Sequence, residues 1–458
     1  MPLDENKEIF KALSLSEALP LAIEALSWME SEGLNEKTAI TKASKQLNIK
    51  KPETLKLSYM IVFETIKRKN FIDEIIFIEL PKETFSALNF GVKNFLRIYV
   101  YWMKFRKSSI KEALSLVKCG REILGWKNLD KIELSLGKIL SLNLKEILKY
   151  KSEEERIALK TFHPKWFINY CIKLMGKPQA LKFFEANLKF KRTYLRLNTL
   201  KGDEEDLKKK IEDEGVKLEK VKDLPYIYSL KKTEKPLIKL EAYTNGLFYI
   251  QDKSSCLAVL TANPKPGDIV VDACAAPGGK TSFLAQLMNN KGRIYSLDYS
   301  KERANFWLME MKRMNVKNSM MILCDLTKHI PLRIKADIVI LDPPCTGTGT
   351  LMKNPCMKWR INPLLIKKFQ NIQFKMLENC SKLVKVNGIL IYSTCSITLE
   401  ENEILIEKFL KLNPNFKLDL IKPFIGLSGF RNQSLCERLY PHLHESEGFF
   451  IAKMKKEF

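Results

Sequence analysis

Histidine is scarce in this chain, with four in 458 residues: His163, His329, His442 and His444. None of the ten cysteines forms a C-x-x-C pair. A zinc site needs closely spaced sulfur and nitrogen ligands, so no metal is expected. No apolar run approaches the ~18 residues that would cross a bilayer, and no membrane association is expected. The opening MPLDENKEIFKALSLSEALPL lacks a basic stretch followed by an apolar one. The expectation is therefore no secretory leader and a cytoplasmic protein. Disulfides are then disfavoured, and each cysteine reads as a small buried apolar residue unless argued otherwise. Internal repeats and low-complexity tracts are also missing.

Acidic residues are in deficit. There are 53 Asp and Glu against 77 Lys and Arg, a formal charge of +24. Such a surplus favours an anionic partner, which RNA, DNA or a membrane surface would each satisfy. The plainer alternative is solvated lysine faces. Hydrophobic residues at 45% and charged ones at 28% are globular values, and the length allows one to three domains.

Residues 1–150 read as all-helical. Leu19, Ile23 and Leu26 recur at helical spacing before a stop at Gly33, as do Leu55, Tyr59, Val62 and Ile66. Ser109 and Glu112 form a capping box ahead of Ala113, Leu114 and Val117. Residues 151–245 continue helical with a break at His163–Phe167, then become a small lysine-rich α/β segment. Tyr194–Thr199 and Pro225–Leu230 read as strands there, and Asp203–Gly215 as a charged helix. Residues 246–458 alternate strands and helices. The strands are Asp268–Ala273, Arg293–Asp298, Met321–Leu326, Ala336–Asp342 and Gly388–Thr394. Alternation of this kind predicts a parallel, doubly wound sheet, whose ligands bind beyond the carboxyl ends of the strands.

Those strand ends carry the unusual residues. VVDACAAPGGKT (Val270–Thr281) is a strand, a Gly-rich turn and a helix start, where backbone amides can approach a ligand. A phosphate-binding loop would need glycine at position 274, which is Cys274. The dinucleotide G-x-G-x-x-G is also absent. Asp298 lies 298 − 279 = 19 residues past Gly279 at the end of the next strand. An acid there suits a ribose diol, although it also suits a helix cap. An adenosine-containing cofactor without a required phosphate follows.

In LDPPCTGTGT (Leu341–Thr350), Asp342 ends a strand and Pro343–Pro344 stiffen the loop after it. A carboxyl group there can hydrogen-bond the edge of a base. Methyltransferases acting on adenine amines carry an aromatic residue after the prolines, whereas here the residue is Cys345. Cys395 follows the Gly388–Thr394 strand, 395 − 345 = 50 residues on. Both cysteines fall on one sheet edge and can face one pocket. Carbon 5 of a pyrimidine is too weak a nucleophile to take a methyl group from a sulfonium. A thiolate adding to carbon 6 makes carbon 5 enamine-like. One cysteine can attack while the other assists breakdown, and Asp342 can steady the base.

At these residues the sequence resembles the RNA cytosine-C5 methyltransferases of the Sun (Fmu) family. The likeness rests on DACAAPGGKT (Asp272–Thr281), DPPCTG (Asp342–Gly347) and STCS (Ser393–Ser396). It extends to YLRLNT (Tyr194–Thr199), Gln251–Asp252 and EGFFIAK (Glu447–Lys453), covering about residues 160–458. The resemblance implies S-adenosyl-L-methionine as cofactor and a Rossmann-like class I methyltransferase domain over 246–458. It implies Cys395 as nucleophile and Cys345 as the residue assisting release. Cys274, Ala275, Ala276, Pro277, Gly278, Gly279, Lys280, Asp298, Asp325 and Asp342 would line the cofactor site, with Lys280 and Asp342 also near the base. Two mild departures are Thr346, where Ser is common, and Glu447, where Asp is usual.

The N-terminal part, residues 1–150, resembles the NusB-type helical RNA-binding domain of the ribosomal members, best over Phe95–Gly125, and residues 196–239 resemble the family's small RNA-positioning domain. The resemblance therefore favours ribosomal RNA over transfer RNA; a monomer is expected. Two rivals are a DNA cytosine methyltransferase and a non-catalytic RNA-binding assembly factor. The first usually takes its nucleophile from the Pro-Cys loop. The second predicts loss of a cysteine or a broken glycine turn, and neither is seen.

Overall fold

The computed structural model describes residues 15–106, 108–189 and 192–458. The chain divides into two compact units, residues 1–190 with 351–360, and residues 191–350 with 361–458.

The first unit is helical. Its longer helices include Leu15–Ser31, Glu36–Gln46, Pro52–Lys67, Lys69–Glu79, Phe90–Val100, Ile110–Leu124 and Trp126–Ser141. Leu19, Leu26, Val62, Ile76, Phe95, Leu116 and Ile132 meet in one core. The Ser109–Glu112 capping box is formed. In the helix that it starts, Ala113 and Leu116 are buried, while Leu114 is exposed. Helices Glu153–Thr161, Lys165–Met175 and Lys177–Ala186 belong to this same unit. Asn70 Nδ2 donates to the carbonyls of Ala158 and His163, which joins the later helices to the earlier ones. The helical unit thus ends near residue 190, past the division read at 150.

Leu351–Arg360 returns to this unit from far along the chain. The Cys356 amide donates to Glu36 Oε1 at 2.8 Å, and Trp359 Nε1 to the Ile66 carbonyl at 2.6 Å. Arg360 Nη2 donates to the Leu34 carbonyl, and Lys358 Nζ to that of Phe162. Lys358 is so buried that its ammonium pKa falls to about 7.

The second unit holds two sheets. The smaller contains β1 (Tyr194–Leu197), β2 (Val216–Lys220), β3 (Ile227–Thr233) and β4 (Phe248–Ile250). All pairings are antiparallel, in the order β2-β3-β1-β4. Because β4 pairs with β1, this sheet runs past the division read at residue 245. The helix read over Asp203–Gly215 spans Glu204–Glu212, capped by Asp203. Arg196 on β1 is fully buried. Its guanidinium donates to Ser282 Oγ at 2.6 Å and Gln286 Oε1 at 2.8 Å on helix Gly279–Leu287. The YLRLNT strand is therefore a joint that fixes the small sheet to the larger one.

The larger sheet contains β5 (Ile269–Ala273), β6 (Arg293–Asp298), β7 (Ser319–Leu323), β8 (Ala336–Leu341) and β9 (Val384–Thr394). It continues with β10 (Phe416–Leu418), β11 (Leu427–Ser428), β12 (Glu437–Leu439) and β13 (Phe449–Lys456). Its order is β11-β12-β13-β9-β8-β5-β6-β7, with β10 beside β13. Strands β5 to β9 pair in parallel, as expected. The remainder pair antiparallel, so the sheet is mixed. EGFFIAK runs into β13, which pairs with β9 from Phe450 opposite Thr394 to Lys455 opposite Ile389. Winding reverses between β5 and β8, which opens a crevice at their carboxyl ends.

Candidate active site

Every site residue read from the sequence lies at that edge. Cys274 follows β5, Asp298 ends β6, and Asp325 lies two residues beyond β7. Asp342 follows β8, and Cys395 follows β9.

After β5 the chain turns sharply. Cys274 takes φ 67° and Gly278 φ 114°, the left-handed region. A Cβ on Gly278 would sit 2.5 Å from Met311 Cε, a flexible side-chain end that can move aside, so it is the positive φ that requires glycine there. Helix Gly279–Leu287 then begins with no side-chain cap. Its amino end, with the dipole's partial positive charge, is left for a ligand. Asp298 Oδ2 accepts from the Ala276 amide and Oδ1 from the Ser300 amide, each at 3.0 Å. Those bonds fix the carboxylate against the turn. Beneath it, Asp272 accepts from Thr281 Oγ1 at 2.5 Å, while its Oδ1 has no partner among the described residues. Burial pushes the Asp272 carboxyl up to about 7. Asp325 is held by its own loop, accepting from the hydroxyl and amide of Thr327, which keep its pKa below the usual range. An uncapped helix start beside a fixed carboxylate suits an adenosine with a charged amino-acid tail. Cys274 itself is a poor reactive thiol, because burial raises its pKa well above the ordinary value.

Across the crevice, Lys280 Nζ lies 2.5 Å from Asp342 Oδ2 and 3.0 Å from Ser255 Oγ. Burial alone would lower the lysine pKa, but the charge and hydrogen bond of Asp342, with Asp272 behind, hold it above the ordinary value. Ser393 Oγ reaches Asp342 Oδ1 at 3.5 Å, and Gln251 Nε2 donates to Ser255. Ser393 was read only as part of the STCS motif, and Ser255 was not singled out, since a lone serine carries no pattern. Beside this pair, Cys345 Sγ and Cys395 Sγ are 3.2 Å apart, and both are free thiols. The hydrogen bond with Cys395, and burial, hold the Cys345 thiol well above its ordinary pKa. The Cys395 carbonyl accepts from the Gly349 amide at 2.9 Å. Gly349 in turn lies against Gly448 of EGFF, where an added Cβ would come within 2.0 Å of the Gly448 carbonyl oxygen.

A sheet with this reversal, this glycine turn and an acid ending the next strand fits the S-adenosylmethionine-dependent methyltransferase class. Residues 259–455 match the family described as 16S rRNA methyltransferase RsmB/F, and residues 163–234 its ferredoxin-like domain. Probable ribosomal RNA small subunit methyltransferase B of Bacillus subtilis (strain 168) is 29% identical over 418 residues, 87% of this chain and 89% of that protein. The tRNA (cytosine(72)-C(5))-methyltransferase of Pyrococcus horikoshii is 38% identical over 48% of this chain and 55% of that protein. The crystal structure of PH0851 superposes with a TM-score of 0.80 at 31% identity, covering 97% of this chain and 100% of that one. This chain belongs to the RsmB/F family, S-adenosylmethionine-dependent RNA cytosine-C5 methyltransferases.

Proposed function

We propose that this enzyme methylates carbon 5 of a cytosine in ribosomal RNA through a covalent adduct on Cys395. The 3.2 Å approach of Cys345 and Cys395 beside the Lys280–Asp342 pair is the observation that carries the mechanism. S-adenosylmethionine supplies the electrophilic methyl group. The residues from Cys274 to Gly279, with Asp298, Asp325 and Asp342, would hold it. Cys395 Sγ adds as thiolate to carbon 6, and the electron pair of the 5,6 double bond becomes available at carbon 5. Asp342, steadied by Lys280 and Ser393, hydrogen-bonds the edge of the base during this addition. Once carbon 5 carries the methyl group, its proton passes to solvent water in the crevice. The carbon 5–carbon 6 double bond re-forms, and the Cys395–carbon 6 bond breaks to return the thiolate. Cys345, with its raised pKa, is the protonated neighbour that assists this release.

Ribosomal RNA is favoured because the match to the Bacillus subtilis protein runs over 418 residues and so into the helical unit. The match to the transfer RNA enzyme covers 48% of the chain. The helical unit, read as NusB-like, and the lysine-rich small sheet would grip the RNA backbone. No helix among the described residues is long and apolar enough to cross a membrane, and we place the enzyme in the cytoplasm as a monomer. Bisulfite sequencing of total RNA from cells with and without the gene tests the reading. One cytosine of ribosomal RNA should lose its protection in the deletion. A lost site in transfer RNA would move the substrate, and no lost site in either would bring forward an assembly factor.

A further inference from the structure

A carboxylate away from the reacting groups ties the two cysteine loops together. Glu401 is fully buried in the loop after β9. Its Oε1 accepts from the Thr346 amide at 2.8 Å and from Gln373 Nε2 at 2.9 Å. Its Oε2 accepts from three hydroxyls, Thr346 at 2.5 Å, Ser396 at 2.6 Å and Thr398 at 2.8 Å. Among the described residues no lysine or arginine forms an ion pair with it. Five donors thus take the place of a counter-charge. A buried carboxylate persists only when hydrogen bonds replace the water it has lost.

The identity of those donors matters more than their number. Thr346 directly follows Cys345, and Ser396 directly follows Cys395. One rigid group therefore binds the residue next to each sulfur. Gln373 extends the clamp by donating also to the Pro344 carbonyl at 3.0 Å, on the other side of Cys345. Tyr392 OH, near the end of β9, donates to the Glu401 carbonyl at 2.7 Å. The loops gain further ties from Thr348 Oγ1 to Ser396 Oγ and from the Ile397 amide to Thr348 Oγ1, each at 2.9 Å. The side chains of Glu401, Thr346, Thr348, Gln373, Tyr392, Ser396 and Thr398 are all buried, and no cofactor-binding residue takes part.

We propose that Glu401 is a positioning residue, which sets the separation and facing of Cys345 and Cys395 by clamping Thr346 and Ser396 to one carboxylate. The idea rests on the two-cysteine reading of the site, but its test needs no RNA. Diamide accepts two electrons and two protons from two thiols and joins them as a disulfide, at a rate set by how closely they face. In the full-length protein, the Cys345–Cys395 disulfide is followed by mass spectrometry, and S-adenosylmethionine binding by calorimetry. Glu401→Ala should slow disulfide formation about tenfold or more, as misplacement by an ångström does for reacting groups, with cofactor affinity unchanged. Glu401→Gln should restore most of the rate. Its amide oxygen still accepts from the Thr346 amide and Gln373, and its NH2 can donate to hydroxyls that turn to accept. Should Glu401→Ala fail to fold, Thr346→Val removes one clamp hydroxyl and should slow the reaction likewise. Wild-type disulfide rates in a folded Glu401→Ala or Thr346→Val protein would overturn the proposal, as would Glu401→Gln behaving no better than Glu401→Ala. A protein that passes this test yet methylates no cytosine would sink the functional reading and leave the clamp standing.

Discussion

Lys280 and Asp342 meet across the crevice, their charged atoms 2.5 Å apart, with Lys280 at the start of the helix after β5 and Asp342 at the end of β8. The pair spans the point where the sheet's winding reverses, so it joins the cofactor turn to the first cysteine loop. Asp342→Ala leaves the ammonium without its carboxylate, and burial then drives the lysine pKa down. Breaking such a pair should destabilise the protein by about 2–3 kcal/mol in urea denaturation, less than for a fully enclosed pair because Asp342 is 28% exposed. The wild-type contribution is present below the lysine's unfolded pKa and fades as pH rises through its raised folded value. The variant's deficit should therefore shrink in strong alkali.

The cysteines should separate cleanly by phenotype. Cys395→Ala should abolish both turnover and the covalent protein–RNA complex. Cys345→Ala should let that complex accumulate, visible as a retarded band on a denaturing gel. Loss of activity in Cys345→Ala with no trapped complex would count against its role in release.

Asp272 should make stability depend on pH in an unusual direction. Its folded pKa, about 7, lies above the ordinary 3.8, so the folded state binds the extra proton. Stability from this group is complete below pH 3.8 and is lost as pH rises through 7. Asp272→Asn keeps an acceptor for Thr281 and removes the charge. It should stabilise the protein more at pH 8.5 than at pH 5, by about 2–3 kcal/mol, in melting curves at the two values.

Gly349→Ala should be costly because the new methyl group would meet the Gly448 carbonyl at 2.0 Å. Overpacking backbone against backbone should cost about 3 kcal/mol. Since the Gly349 amide also holds the Cys395 carbonyl, activity should fall further than the melting temperature alone accounts for. Methyl transfer measured well below the melting range checks this.

The legible parts were those in which several residues in a row carry one physical signal. A strand that runs into an acid, a Gly-Gly turn, a Pro-Pro-Cys or a Thr-Cys is punctuated in the chain itself, and all five such strand ends fell at one edge. Glu401 was not legible, because TLEENE reads as a solvated polar stretch until the fold brings Thr346 and Ser396 to it. Arg196 was seen only as part of a strand, since its partners Ser282 and Gln286 lie about 90 residues away. The antiparallel half of the sheet was missed for a related reason. Alternation along the chain reports strands, and only the short links between them report direction. The division at residue 150 cut a run read as helical on both sides, whereas the bonds from Asn70 to the Ala158 and His163 carbonyls depend on long-range contacts that periodicity does not carry.

The return of Leu351–Arg360 to the helical unit matters during synthesis. A ribosome making ~5–20 residues per second needs roughly 10–30 s to travel from residue 190 to residue 360. Throughout that interval the emerged helices lack their last ten residues. Glu36 is without the Cys356 amide, and the carbonyls of Leu34, Ile66 and Phe162 are without Arg360, Trp359 and Lys358. The helical unit is thus completed only after the Cys345 loop has left the ribosome, so the first part of the chain to be made is not the first to be finished.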